Sequence, residues 1–300
     1  MKDKKYVWSK IALFVAALIW GSTFVVVKDA TTTMSTSFIL ALRFSIGSLV
    51  LIVVYYRKLK IIDKSYLKGG LIMGLTLFLS FWMQVFGLTL DTTPGKSAFL
   101  CAVYCVIVPF LYWIVKKEKP DKYNFIAAFV CIVGIGLVSL NEKLYIKGGD
   151  LITILSGFFA AANIVATSIY CKDKDTTILT ILQLSVVGIL SWIIVIITNG
   201  FPAEYTETAL FGVIYLGIFA TAIGLLFQSI GIKYTNPSSA ALILSLEAIF
   251  GVIFSIMIYN EKITMKLVMG FIFIFIAVVV SETKLSFYKK KEEVCIEDYD

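Results

Sequence analysis

The chain has 300 residues, of which 59% are hydrophobic and 16% charged, and its mean hydropathy is +0.90. A soluble domain carries about 25% charge, so the polar surface needed to face water on all sides is missing and the chain reads as an integral membrane protein. Its net charge is +7, and its lack of histidine argues against a membrane metalloenzyme, because the commonest metal ligand and general base is absent.

Along the chain, Met1-Lys2-Asp3-Lys4-Lys5 precedes an apolar run too long for a signal-peptide core. No small-x-small cleavage site follows it, so it reads as an uncleaved first span. Apolar windows of membrane-crossing length cover about 8–28, 36–56, 69–90, 95–115 and 123–140. After a connection at 141–150 holding Gly148-Gly149-Asp150, five more cover 151–170, 178–198, 208–230, 238–259 and 265–281. Backbone groups in lipid must be satisfied within the segment, and the runs are too long for barrel strands, so helices are expected. The tail 284–300 runs from Lys289-Lys290-Lys291 to an acidic end and reads as an interfacial anchor followed by a solvated segment.

The two halves repeat. Residues 92–118 echo 235–261: Pro94 and Pro237 are 143 positions apart, as are Glu118 and Glu261. Gln84-Val85-Phe86-Gly87-Leu88 is matched by Gln228-Ser229-Ile230-Gly231-Ile232 at a shift of 144. Five spans per unit is an odd number, so units joined in series face opposite ways. The expected architecture is an all-α membrane protein of ten transmembrane helices in a 5+5 inverted repeat. Its units are 8–141 and 150–283, followed by the tail 284–300. If the N-terminus is cytoplasmic, 20 of the 27 Lys and Arg lie on the cytoplasmic side, 6 lie on the opposite side, and Arg43 lies within a span. That asymmetry places both termini in the cytoplasm, and it explains the positive charge without nucleic acid; the expected location is a bacterial cytoplasmic membrane.

Trp20-Gly21-Ser22-Thr23-Phe24, Arg43-Phe44, Thr92-Thr93-Pro94-Gly95-Lys96-Ser97-Ala98-Phe99-Leu100 and Val108-Pro109-Phe110 resemble the signatures of the drug/metabolite transporter superfamily, EamA branch. Ser245-Leu246-Glu247 and Asn260-Glu261-Lys262-Ile263-Thr264 resemble the matching stretch of the second half. The resemblance covers about 8–283. It implies a secondary carrier working by alternating access on amino acids or other small metabolites, often outward. Many members of the branch carry Pro after the Glu of the ninth span; here Ala248 stands there, so no kink is expected at that point.

Within the spans the ionisable residues are Arg43 and Glu247, each costly in lipid and therefore a candidate for function. Aligning the repeats sets Tyr104 opposite Glu247, Arg43 opposite Gln183 and Thr23 opposite Asn163. Under a pseudo-twofold axis such pairs surround one central cavity. The candidate substrate-binding residues are Trp20, Thr23, Arg43, Gln84, Tyr104, Asn163, Gln183 and Glu247. Two readings stand for the charged pair. Either Arg43 holds a carboxylate and Glu247 an ammonium group or a coupling proton, or the two pair with each other to hold the packing. Gln84 and Gln228 either bridge helices or touch substrate. Lys96, in the first turn of its span, either draws anions to the entrance or snorkels. Glu118 and Glu261 read as interfacial contacts. Small Cys101 and Cys105 share a face with Ser97 and Pro109 for close helix approach, and the five cysteines show neither metal nor disulfide spacing. No phosphate-binding glycine loop is present, so no nucleotide, cofactor or catalytic activity is expected. The expected partners are a small-molecule substrate, the lipid bilayer and a coupling proton or ion, with the protein a monomer or homodimer. The alternative function is a lipid-handling, flippase-like protein.

Overall fold

The computed structural model describes residues 2–90, 92–139, 146–235, 237–260 and 264–283. Every regular element among them is helical. In chain order these are α1 (Lys2–Ala30), α2 (Thr36–Tyr55), α3 (Lys64–Thr89), α4 (Pro94–Cys101), α5 (Tyr104–Lys116), α6 (Lys122–Ser139), α7 (Gly148–Tyr170), α8 (Thr176–Ile197), α9 (Glu207–Tyr215), α10 (Gly224–Tyr234), α11 (Pro237–Tyr259) and α12 (Met265–Thr283). A 3-10 turn, Tyr56–Ile61, extends α2, and a π-helical segment, Leu216–Ile223, joins α9 to α10. Eight helical stretches are long and apolar enough to cross a membrane: α1, α2 with its 3-10 turn, α3, α4 with α5, α7, α8, α9 through α10, and α11. The windows 123–140 and 265–281 correspond to α6 and α12, whose apolar stretches Lys122–Gly134 and Val268–Ala277 are shorter. The tail 284–300 and the stretch Glu261-Lys262-Ile263 lie outside the described residues.

Polar side chains fix where the helices begin. Ser35, Asp63, Thr93, Asp175 and Thr206 each accept a backbone amide of the first turn, satisfying donors that the helix cannot. Pro94 follows its cap at the position where a missing amide costs nothing. At the other ends, Lys117, Asn199 and Asn260 adopt left-handed φ values of 62°, 49° and 49°, which turns the chain out of α5, α8 and α11.

Two spans expected to be continuous are interrupted. The span of α4 and α5 breaks at Ala102-Val103, where Cys105 N bonds to Ala102 O (3.1 Å) and Val106 N to Val103 O (3.0 Å), a tighter pattern than the α-helix. Downstream, Pro109 supplies no amide to continue the ladder. The second interruption is the π segment, whose wider turn frees the Ala220 carbonyl to accept the Trp20 indole N–H at 2.8 Å.

The helices exchange partners between the two halves of the chain. The first, α1, packs on α10 and α11, while α3 packs on α7 and α8. Meanwhile α2 lies against α8 and the π segment, α4 against α11, and α6 against α12 at the rim. Small residues set the closest crossings. A Cβ placed on Gly21 would lie 2.2 Å from the Phe250 Cβ, so α1 and α11 meet almost backbone to backbone. Across α2 and α8, Ser48 and Ser185 share a hydrogen bond of 2.7 Å and the Trp192 indole donates to Ser45 at 2.9 Å.

Candidate functional site

Where these crossings leave space, a cavity lies between α1, α3, the α4–α5 break, α7, α10 and α11. Its walls come from both halves of the chain. Trp20, Phe24, Phe81 and Tyr104 give aromatic surface, and Leu77, Ala160, Ile164 and Leu244 give aliphatic surface. Thr23, Ser80, Gln84, Cys101, Asn163, Gln228 and Glu247 supply the polar groups. An apolar hollow with a few fixed polar groups is the usual form of a small-molecule site.

Local folding positions each of these groups. Trp20 is pinned through the π segment by its bond to Ala220 O, and Thr23 Oγ1 donates back to Trp20 O at 2.7 Å. Asn163, on α7, donates to Met73 O of α3 at 2.9 Å and reaches the Gln183 carbonyl at 3.4 Å. Gln84 Nε2 donates to Cys101 Sγ at 3.2 Å, and Ser156 Oγ reaches the same sulfur at 3.7 Å. Gly157 lets α7 press on the helix break there: a Cβ on it would lie 2.8 Å from Cys101 O and 2.6 Å from Val103 Cγ1. Glu247 is buried at the cavity wall. Tyr104 Oη lies beside it, and among the described residues it makes no hydrogen bond of standard geometry.

Of the residues singled out from the sequence, Trp20, Thr23, Gln84, Tyr104, Asn163 and Glu247 line this cavity, and Gln228 joins them. Arg43 and Gln183 do not. Gln183 sits behind the wall, accepting from Asn163 and donating to Ser229 Oγ at 3.4 Å. Arg43 is 1% exposed and donates from Nε to Thr221 Oγ1 of the π segment at 3.0 Å. Its guanidinium lies 4.8 Å from the ring centroid of Phe81 and 5.2 Å from that of Phe44. Phe81 therefore stands between Arg43 and the cavity. Among the described residues Arg43 and Glu247 form no ion pair, and Arg43 Nη2 has no hydrogen-bond partner.

Lys96 does not stand free. It makes a 2.6 Å ion pair with Asp150, which is fully buried and accepts a second bond from Thr92 Oγ1 at 3.0 Å. The sequence places Asp150 in a connection after two glycines, a context that hides its burial; the structure places it in the first turn of α7. Cys101, expected only to ease helix approach, also lines the cavity. Cys105 donates to Ala241 O at 3.0 Å, a tight contact between α5 and α11.

Residues 7–140 and 147–283 each match the model of the EamA-like transporter family. A protein named an uncharacterized transporter from Archaeoglobus fulgidus is 31% identical over 276 residues, covering 92% of this chain and 86% of its own. The uncharacterized transporter YyaM of Bacillus subtilis is 33% identical, with 95% of this chain and 98% of that protein covered. A solved crystal structure 17% identical in sequence superposes with a TM-score of 0.68 over 92% of this chain and 98% of its own, a likeness of fold.

Proposed function

Because this chain belongs to the EamA-like transporter family, we propose that it is a secondary carrier. It moves a small metabolite, of the amino-acid or a related class, across the bacterial cytoplasmic membrane by alternating access, in the export direction. The observation that carries this reading is a cavity whose polar wall is drawn from both halves of the chain and holds one carboxyl, Glu247, with the guanidinium of Arg43 screened behind Phe81. A solute entering that space meets an acid and amides, so its charged part at this wall is an ammonium group, or else Glu247 carries a coupling proton. Gln84, Asn163 and Gln228 offer donors and acceptors for the remaining polar atoms, while Trp20, Phe24 and Phe81 cover its apolar body.

The mechanism follows from ten spans in two inverted units of five. Exchange of the halves maps the packing onto itself: α2 against α8 and α6 against α12 are self-paired, and α3 on α7 answers α10 on α1. A site at the junction of such units opens to either side as one unit rocks on the other, and no part of the solute need change chemically. Both termini lie in the cytoplasm under this arrangement. The energy comes from a proton, another ion or the solute gradient, and the working unit is a monomer or homodimer.

Counterflow in proteoliposomes tests the reading, using amino acids, organic acids, amines, nucleosides and cationic drugs with and without a pH gradient. Trans-stimulated uptake of one solute class is the expected result. Acceleration by the gradient assigns the proton to Glu247, and indifference to it leaves the carboxyl to the solute's ammonium. No exchange of any of these solutes by a folded protein, with lipid probes scrambled instead, favours the flippase-like alternative.

A further inference from the structure

At one end of the bundle Thr92, Lys96 and Asp150 tie α4 to α7; at the other, Ser9 and Thr235 share a buried 3.0 Å hydrogen bond that ties α1 to the C-terminal end of α10, just before α11. The ends are opposite because Lys28 on α1 bonds to Leu88 O, just before Thr92. Ser9 lies nineteen residues back along the same helix, roughly 28 Å away. Thr92 and Thr235 are 143 positions apart, the shift that relates Pro94 to Pro237. The two ties thus occupy equivalent places in the repeat but differ in kind, one charged and one neutral.

We infer that Thr92, Lys96 and Asp150 form an interlock that governs opening of their end of the transport cavity, while Ser9 and Thr235 form the weaker counterpart at the other end. This rests on the carrier reading above. Asp150 is fully buried in the closed end, and a dry carboxylate is tolerable only with its partners in place. Lys96 supplies the charge and Thr92 covers the second oxygen. Opening that end hydrates both charges, so the interlock favours the closed form only while all its partners are in place. Removing one partner does decide it, because the carboxylate left alone is penalised in the closed form and rescued by water in the open one. The neutral hydroxyl pair leaves no such orphan charge, and losing it moves the other end far less.

Two cysteine reporters read the two ends separately: Ser97→Cys, one turn beyond Thr93, and Ala240→Cys, which is related to it by the same shift of 143. Both positions are fully buried in this structure. Maleimide labelling is followed on purified protein in nanodiscs without solute, as the increment over the parent with its native cysteines. On the inference, Lys96→Met raises labelling at Ser97→Cys on the order of tenfold and leaves Ala240→Cys unchanged or slower. Lys96→Met with Asp150→Leu returns it toward the parent rate, because no charge then needs water. Ser9→Ala changes labelling at Ala240→Cys only slightly. Unchanged labelling at Ser97→Cys in Lys96→Met overturns the inference, as does an equal rise at both reporters or failure of the double variant to restore closure. Should Lys96→Met not fold, Thr92→Val gives the same readout with a smaller rise, and no rise there overturns it equally. The assay needs no solute, so an inert counterflow panel removes the carrier reading while the labelling still decides whether this end is interlocked.

Discussion

Glu247 and Arg43 are ionisable groups of opposite kind buried in the helices, yet the packing treats them differently. Glu247 faces the cavity, so Glu247→Gln, which keeps shape and burial, should lower exchange at least about tenfold with an unchanged melting temperature, as counterflow and thermal unfolding would record. Normal exchange by that variant would remove Glu247 from the site. Arg43 has one donor bonded to Thr221, two aromatic faces and an unpartnered Nη2. Replacing a buried, uncompensated charge by an apolar chain of similar length is often neutral or stabilising, so Arg43→Met should melt no lower than the parent. A clear fall in melting temperature would show that the guanidinium holds the packing together. The sequence makes the cost of these two groups visible, since charge in an apolar window needs a reason. It does not show that Phe81 screens one of them, because that depends on a helix crossing rather than on spacing. The burial of Asp150 is hidden for the converse reason: after two glycines it reads as a turn residue, and its partner on α4 lies more than fifty positions away.

At the level of helices, the apolar windows are legible, whereas the capping side chains and the interruptions at Ala102-Val103 and Leu216–Ile223 are not. Both interruptions fall in stretches whose composition is uniformly apolar, and what distinguishes them is which backbone carbonyl finds a partner elsewhere. The break is held by the close approach of α7. Gly157→Ala should therefore cost about 1–3 kcal/mol, measured as unfolding in detergent, since its new methyl meets the backbone oxygen of Cys101. Parent-like stability would mean that α7 can retreat without loss. Asp175, outside the spans, caps α8 and pairs with Lys58 at 2.9 Å. Burial pushes its carboxyl up, but the Lys58 hydrogen bond and charge and the Thr177 amide outweigh it, so the group is held below its ordinary value. Its contribution is then fully present above the ordinary carboxylate range and is lost as pH falls through the lowered value. Asp175→Ala should cost about 1 kcal/mol near neutrality, and the gap to the parent should close in strong acid.

For the molecule as a whole, the duplication and the lysine asymmetry are the most legible features, because both are properties of long stretches rather than of single contacts. On the proposed arrangement the connection around Lys60 faces the cytoplasm and that around Glu204 the outside. In intact cells an impermeant maleimide should label Glu204→Cys and spare Lys60→Cys; labelling of both from one side would break the arrangement of the halves. The pairing of α6 with α12 carries a different implication. Neither helix contributes a wall residue to the cavity among the described residues, and each leans chiefly on the other. The pair that packs at a distance from the cavity and the helices that wall it are thus separate parts of one bundle. Lineages inhabiting bilayers of unlike thickness could remodel this outer pair freely while the chemistry of what they carry stays fixed.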